Sequence, residues 1–327
     1  MEQAVNIEQT LNQVEKLFST PSTSGLAGTG MTLIRENLSG FVTRLAYKET
    51  GIRDRLPRKT GSGLAASWNV LSAIGVGNAP FAEGGTPTED STTYARRSAI
   101  YKELGKVKSV SDRMIAAGRS FGDIEAELTE VAIRETIQDE EQLLITGNVS
   151  TSALQFDGLQ TQITTNIIND GNSALGFRTE LIERAIQSIV STYAVRPTAI
   201  YCSYGMKKAI NQALAGDVRV NLDAGNEVAI GVDVSMYQSM IGKIPIVPTF
   251  AIADDATTYS GNTVSDLYVV TEKANGQDCL YLEDLYPMGK SYLDRTGAAI
   301  KFMVTECTVL VCRAQEFQTR VRNIRIQ

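Results

Sequence analysis

After Gly122 neither proline nor glycine interrupts the chain until Gly147, so the stretch Ser120 to Gly147 predicts one long helix, opened by Ser120 with Asp123 and closed by Gly147. Its apolar residues fall on two sides. Ile124, Leu128 and Val131 share one face, whereas Ile133, Ile137 and Leu144 follow helical spacing on nearly the opposite one. Such a helix is expected to be gripped from both sides. It also carries eight acids (Asp123, Glu125, Glu127, Glu130, Glu135, Asp139, Glu140 and Glu141) against the single base Arg134. Like charges at this spacing repel, so basic partners are expected across it. The nearest supply is Met31 to Thr60, where Arg35, Arg44, Lys48, Arg53, Arg55, Arg58 and Lys59 face three acids.

Upstream of the helix the period changes from helical to twofold. Leu64, Ala66, Trp68, Val70, Ile74 and Val76 alternate with smaller or polar residues, a tip rich in Gly and Pro follows from Gly77 to Pro87, and Ser91 to Leu104 returns with charge on both faces. Neither strand has the apolar surface of a central strand, so an extended hairpin projecting from the body is expected. Trp68 is read either as an anchor in this chain's own core or as a plug into a neighbour. The first 30 residues hold one short amphipathic stretch, Val5 to Phe18, before turning polar and small, an arm that needs a neighbour or the body to order it. With Met1 in place, no cleaved leader is expected.

The composition excludes much of the catalytic repertoire. There is no histidine, which removes His-based triads and His-containing metal sites. The glycine pattern Gly61-Ser62-Gly63-Leu64-Ala65-Ala66 fits a loose dinucleotide fingerprint in the wrong context, leading into strand alternation where a helix is required. The helix acids read as an ion-paired face and not as a carboxylate metal site. Cys202, Cys279, Cys307 and Cys312 form no CxxC pair and read as buried thiols, with Cys307 and Cys312 on opposite faces of an ideal strand. A net charge of -6, from 31 Lys+Arg and 37 Asp+Glu, argues against a protein that holds nucleic acid by electrostatics. No apolar run approaches a membrane span. No catalytic, cofactor-binding or metal-binding residue is assigned.

The second half reads as alternating α and β. Thr179 is expected to cap a helix with Ile182, Ala185, Ile186, Ile189, Val190 and Tyr193 on its apolar face; Ala199 to Cys202 is a short strand, and Ser203 caps a helix through Leu214. Ala215 to Asp233 is polar and turn-rich, a surface loop. Strands are expected at Lys243 to Thr249, Leu267 to Thr271, Cys279 to Leu282 and Ala298 to Arg313, followed by a basic tail with Arg313, Arg320, Arg322 and Arg325 that pairs with protein in preference to DNA.

This order of parts resembles the major capsid proteins of tailed bacteriophages, the Hong-Kong-97-type fold. It is carried by the arm, the hairpin, Val110-Ser111-Asp112 before the long helix, Leu144-Ile145-Thr146-Gly147-Asn148 at its end, Phe156-Asp157-Gly158-Leu159, Ala199-Ile200-Tyr201-Cys202-Ser203, and Ile241-Gly242-Lys243-Ile244-Pro245-Ile246-Val247. The resemblance implies an α+β fold with an N-terminal arm (1–57), an extended loop (58–105), a peripheral domain with a spine helix (106–168, helix 120–147), an axial α/β domain (169–288) and return strands of the peripheral domain (289–327). The loop 215–233 would face the five- and six-fold axes.

By that resemblance the chain would assemble as pentamers and hexamers into an icosahedral shell around double-stranded DNA, in the host bacterial cytoplasm and then in the virion. Partners would be a separate scaffolding protein, since no long N-terminal scaffolding extension is expected, a portal, a decoration protein, and DNA by weak non-specific contact. The residues expected to meet neighbouring subunits are Arg55, Arg58, Trp68, Phe81, Glu83, Arg96, Arg97, Glu127, Glu130, Asp223, Arg320 and Arg322. Some members cross-link a loop Lys to an Asn on the terminal strand. Here no Lys lies between Lys59 and Lys102 and no Asn between Ala298 and Gln318, so no such cross-link is expected. Two other readings stay open at this stage, an encapsulin-like cargo compartment of the same fold and an α/β small-molecule enzyme.

Overall fold

The structure is a computed structural model that describes residues 48–73, 81, 83–86, 92–118, 123–169, 177–215, 234–259, 262–295 and 297–326. The expected arm before residue 48, much of the hairpin tip, Ser120, and the loop 216–233 with Asp223 lie outside them. In chain order, β1 (Arg58–Thr60), β2 (Ala65–Ala73), β3 (Thr93–Ile100) and β4 (Lys102–Ser111) precede a short helix (Asp112–Gly118) and the long helix (Ile124–Thr146). One helical turn (Leu159–Gln162), β5 (Ile167–Asn169), the helix Thr179–Tyr193, β6 (Ala199–Cys202) and the helix Tyr204–Ala215 follow. The remainder is β7 (Met236–Ser239), β8 (Gly242–Pro248), β9 (Asp255–Tyr259), β10 (Asn262–Val270), β11 (Lys273–Ala274), β12 (Gln277–Asp278), β13 (Leu280–Leu293), β14 (Ala299–Cys312) and β15 (Thr319–Arg325).

Two sheets organise these elements. A four-stranded sheet in the order β1-β13-β14-β4 carries the long helix, and a seven-stranded sheet runs β5-β15-β10-β6-β8-β7 with β9 beside β10. In the first, β4 and β14 pair without interruption from Ala299↔Ser111 to Thr308↔Lys102, so alternate residues of β4 point at the helix. Three of those, Lys102, Lys106 and Lys108, are lysines, and two of them reach its acids. Lys106 Nζ meets Asp139 at 2.6 Å, Lys108 meets Glu135 at 2.8 Å, and Lys290 of β13 meets Glu125 at 2.7 Å. The acidic helix therefore has the basic partners its sequence demands. Each of these partly exposed pairs contributes little alone, about 0–1 kcal/mol.

The helix itself departs from expectation at both its start and its buried face. Asp123 is the cap, its carboxylate accepting from the amides of Glu125 (3.0 Å) and Ala126 (3.2 Å). The buried stripe is Ala132, Thr136, Glu140 and Leu144 at successive i, i+4 positions, joined by Glu141 and Ile145. Of the expected second face only Leu144 enters the core. Ile133 and Ile137 instead line a cleft beside Lys48 and Arg53, so among the described residues the helix is gripped from one side.

The seven-stranded sheet is covered by the helix Thr179–Tyr193, which buries Leu181, Ile182, Ala185, Ile186 and Ile189. Each leucine or isoleucine among them contributes roughly 1.5–3 kcal/mol by leaving water. Arg178, not Thr179, is the residue before the first turn, and it makes no side-chain cap hydrogen bond. Ser203 does cap the next helix, accepting from the amide of Met206 at 3.0 Å. β6 forms as expected and is buried throughout. All four cysteines are free and buried. Cys307 and Cys312 need not share a face for this, because β14 is buried at every position from Glu306 to Cys312.

Three boundaries needed correction. The return strand expected through Leu104 breaks at buried Tyr101, after which β4 changes partner and joins the body. The strand expected at Cys279 to Leu282 continues to Leu293, because β14 supplies a partner along its whole length. The tail beyond Gln318 is strand β15, and it pairs with β10 and β5 in the seven-stranded sheet. Within residues 289–327, β14 stays in the sheet that carries the long helix and β15 joins the other sheet. Val321 and Ile324 are wholly buried, an apolar signal hidden among the arginines.

The Phe156-Asp157-Gly158-Leu159 motif has a steric basis. Gly158 donates to the carbonyl of Gly147 at 2.9 Å, and a Cβ at Gly158 would sit 2.5 Å from the carbonyl oxygen of Leu143 and 2.7 Å from that of Ile145. Backbone cannot yield as a side-chain tip can. Gly158→Ala is expected to cost about 2–3 kcal/mol, read as a lower denaturation midpoint in urea.

Candidate assembly surface

Between Gly51 and Thr60 a strap crosses the end of the long helix. The Glu141 carboxylate, wholly buried, accepts from the amides of Gly51 (3.1 Å), Ile52 (3.1 Å) and Arg53 (2.8 Å) and from the Thr249 hydroxyl (2.8 Å). Glu140, equally buried, accepts from Arg53 Nε and from Arg58 Nη2, and Arg58 also pairs with Asp284 at 3.0 Å. Burial works against the Arg58 guanidinium, but the carboxylates of Glu140 and Asp284 outweigh it and hold its pKa above the ordinary arginine value. Arg55 forms a two-pronged pair with Glu272 (2.9 and 3.0 Å), which also accepts from Tyr201 at 2.7 Å. These ties set the root of the hairpin, since β1 leads directly into it.

The turn from β1 to β2 uses the glycines of the false dinucleotide fingerprint. Gly63 has φ +78, and a side chain at Gly61 would strike the Tyr101 hydroxyl, which donates to Glu283. Their role is local packing, not phosphate binding. Beyond the turn, β2 and β3 pair only with each other among the described strands. The body-facing side, Ala66, Trp68 and Val70 against Ala99, Arg97 and Ala95, is anchored where the Trp68 indole donates to the Arg313 carbonyl at 3.2 Å and Arg97 meets Glu316 at 2.5 Å. The opposite side carries the cross-strand pairs Leu71↔Tyr94, Asn69↔Arg96 and Ala65↔Ile100, with Tyr94 69% and Ile100 62% exposed.

The expected contact residues divide by this geometry. Arg55, Arg58, Arg97 and Arg320 have their charges met inside the chain, Arg320 by Asp266 at 2.5 Å and by the Gln160 carbonyl at 3.2 Å. Trp68 packs half-buried against its own core, which is the anchor alternative of the two readings. Glu130 accepts from Arg134 one turn on, at 3.0 Å, and Glu127, half-buried on the same helix, also has a partner. Phe81, Glu83, Arg96 and Arg322 are exposed. The expectation that bases between Met31 and Thr60 meet the acidic helix is met at Glu140, which pairs with Arg53 and Arg58; missed from the sequence were Glu272, Asp284 and Glu306, further carboxylates that answer or crowd these arginines. For Glu140 a signal existed, its place in the i, i+4 series from Ala132 to Leu144.

A sheet laid on one long helix, a second α/β layer and a projecting hairpin held by internal ion pairs define a shell-building protein of the Hong-Kong-97 capsid type. The capsid of a native GTA particle superposes with a TM-score of 0.69 at 10% identity, covering 92% of this chain and 99% of that one. A phage G structure of gp27 major capsid proteins with gp26 decoration proteins gives 0.58 at 11%, covering 94% and 99%. The holo-SrpI encapsulin complex of Synechococcus elongatus gives 0.62 at 11%, covering 91% and 95%. At these identities the likenesses establish the fold alone. A family model described as SU10 major capsid protein matches residues 20–324, and the chain belongs to that family. No curated protein is matched. The chain is therefore a structural capsid protein that self-assembles into the shell of a virion, not an enzyme.

Proposed function

We propose that copies of this chain, as pentamers and hexamers, close an icosahedral shell around double-stranded DNA, with the hairpin of each copy laid over its neighbour. The observation that supports the overlap is the outer face of the hairpin, where Leu71, Tyr94 and Ile100 stand exposed on a ribbon with no third strand among the described residues. The cleft along Ile133 and Ile137 offers a second face for a neighbour to cover. Assembly takes place in the bacterial cytoplasm on a separate scaffolding protein, with a portal at one vertex and a decoration protein on the outside. With a net charge of -6 the wall holds DNA only weakly, which suits packing and release.

The test is electron microscopy with mass analysis of particles and free subunits from infected cells, where any scaffolding protein is supplied, that carry the parent chain or the double variant Leu71→Ser, Tyr94→Ser. Closed shells for the parent, and folded but unassembled subunits for the variant, are expected; normal shells from the variant would remove the hairpin from the interface. Protein cargo and no DNA in particles from infected cells would replace the genome shell with a cargo compartment.

A further inference from the structure

Glu306 lies on β14, 1% exposed, and neither of its carboxylate oxygens has a hydrogen-bond partner among the described residues. It sits where the four-stranded sheet is irregular. Pairing of β14 with β13 steps from Cys307↔Tyr286 to Thr305↔Gly289, so Glu306 has no opposite residue on β13, while on the other side it faces Leu104 of β4. The charged groups around it are Glu140 from the long helix, Arg53 from the strap, Arg58 from β1 and Asp284 from β13. The lysines of β4 on either side are committed elsewhere, Lys106 to Asp139 and Lys102 to the carbonyl of Ala153. Both Glu140 oxygens are taken by the two arginines, and Arg58 reaches Glu306 only at 3.9 Å.

The charges in this cluster do not balance when every acid is ionised. Three carboxylates, Glu140, Asp284 and Glu306, face two guanidiniums, Arg53 and Arg58, in a site largely closed to water. Neutrality requires one bound proton, and the carboxyl without hydrogen-bond partners among the described residues is the one that takes it at least cost. We propose that Glu306 is a proton-held latch: protonated, it lets strap, long helix and sheet close together at the hairpin root, and ionised, it loosens that junction. The fit with its surroundings is direct. Burial, then the nearby Glu140 charge, push the Glu306 carboxyl up to about 7, against the opposing pull of Arg58 and Arg53. An ionised Glu306 would repel Glu140 and Asp284, the two acids that hold Arg58 and, through the Asp284 carbonyl, the amide of Gly61. The latch acts within one subunit and stands apart from the choice of shell contents or partners.

The sign follows from linkage. An acid with a raised folded-state pKa stabilises the fold most below its unfolded pKa and loses that contribution as pH rises through the folded value. From about pH 5 to pH 7 the folding equilibrium of the full-length chain should fall about tenfold per pH unit relative to Glu306→Gln, and the two profiles should run parallel above. Infrared spectroscopy supplies a readout independent of stability. At pH 6, where exposed carboxylates are ionised, the parent should show one buried protonated carboxyl band, lost near pH 8 and absent from Glu306→Gln. Hydrogen exchange completes the test: corrected for intrinsic rate, amide protection at Gly61 and across Gly51–Arg53 should fall between pH 6 and pH 8 in the parent and stay level in the variant. A band that persists in Glu306→Gln, identical pH profiles, or unchanged protection while the band titrates would each overturn the latch.

Discussion

Glu141→Ala, at the end of the long helix under the strap, is expected to lower the stability of the subunit by about 4 kcal/mol. Four donors lose one acceptor at once: the amides of Gly51, Ile52 and Arg53 and the hydroxyl of Thr249. A buried donor left unsatisfied costs about 1–3 kcal/mol. Ile52 is fully buried and bears that cost in full, whereas Gly51 and Arg53 are half-buried, so water recovers part of theirs. The Thr249 hydroxyl can rotate and is the least of the four. Glu141→Gln keeps one acceptor oxygen and should cost about half as much. Urea denaturation with an unchanged slope checks both; a loss below about 1 kcal/mol for the alanine variant would mean that other acceptors hold the strap.

Glu140→Ala is expected to cost about 3–5 kcal/mol, the range for removing one partner from a buried pair. Here one carboxylate serves two guanidiniums, so its loss leaves Arg53 without its main partner and Arg58 dependent on Asp284. The loss should not resemble that of a simple cavity. Replacing Arg53 and Glu140 together by Met and Leu should recover much of it, because charges absent from both sides need no solvent. A double variant no more stable than Glu140→Ala would show that shape, and not charge, governs the site. Removing Glu140 also removes one source of the upward push on Glu306, so the protonated band of that carboxyl should disappear at a lower pH.

How far the sequence reaches is clearest on the long helix. Its existence and its end at Gly147 follow from the absence of helix breakers, and its need for basic partners follows from eight acids with one base. The lysines that answer on β4 and β13 alternate with strand period, but nothing in the linear pattern says they face this helix. The N-cap moved to Asp123 because a cap is defined by a backbone angle, here ψ 100, and two competing side chains three residues apart cannot be separated by pattern alone. Ile133 and Ile137 look like core by period and line a cleft, because helical spacing reports which residues share a face and not whether this subunit covers it.

The hairpin, the amphipathic helix Thr179–Tyr193 and the buried strand β6 were determined by local chemistry, through period, turn residues and caps, and the capsid class was legible only as a resemblance in the order of those parts. Tertiary structure alone decided the rest. It placed Arg55 against Glu272 and Arg97 against Glu316, pairs more than 200 residues apart in sequence, and it carried β15 into the sheet opposite to β14. It also left Glu306 without a hydrogen-bond partner among the described residues, where two arginines are shared among three acids. Those outcomes depend on which surfaces meet when the chain closes. Pairing across such distances is set by packing and charge in three dimensions, for which a linear sequence holds no local signature.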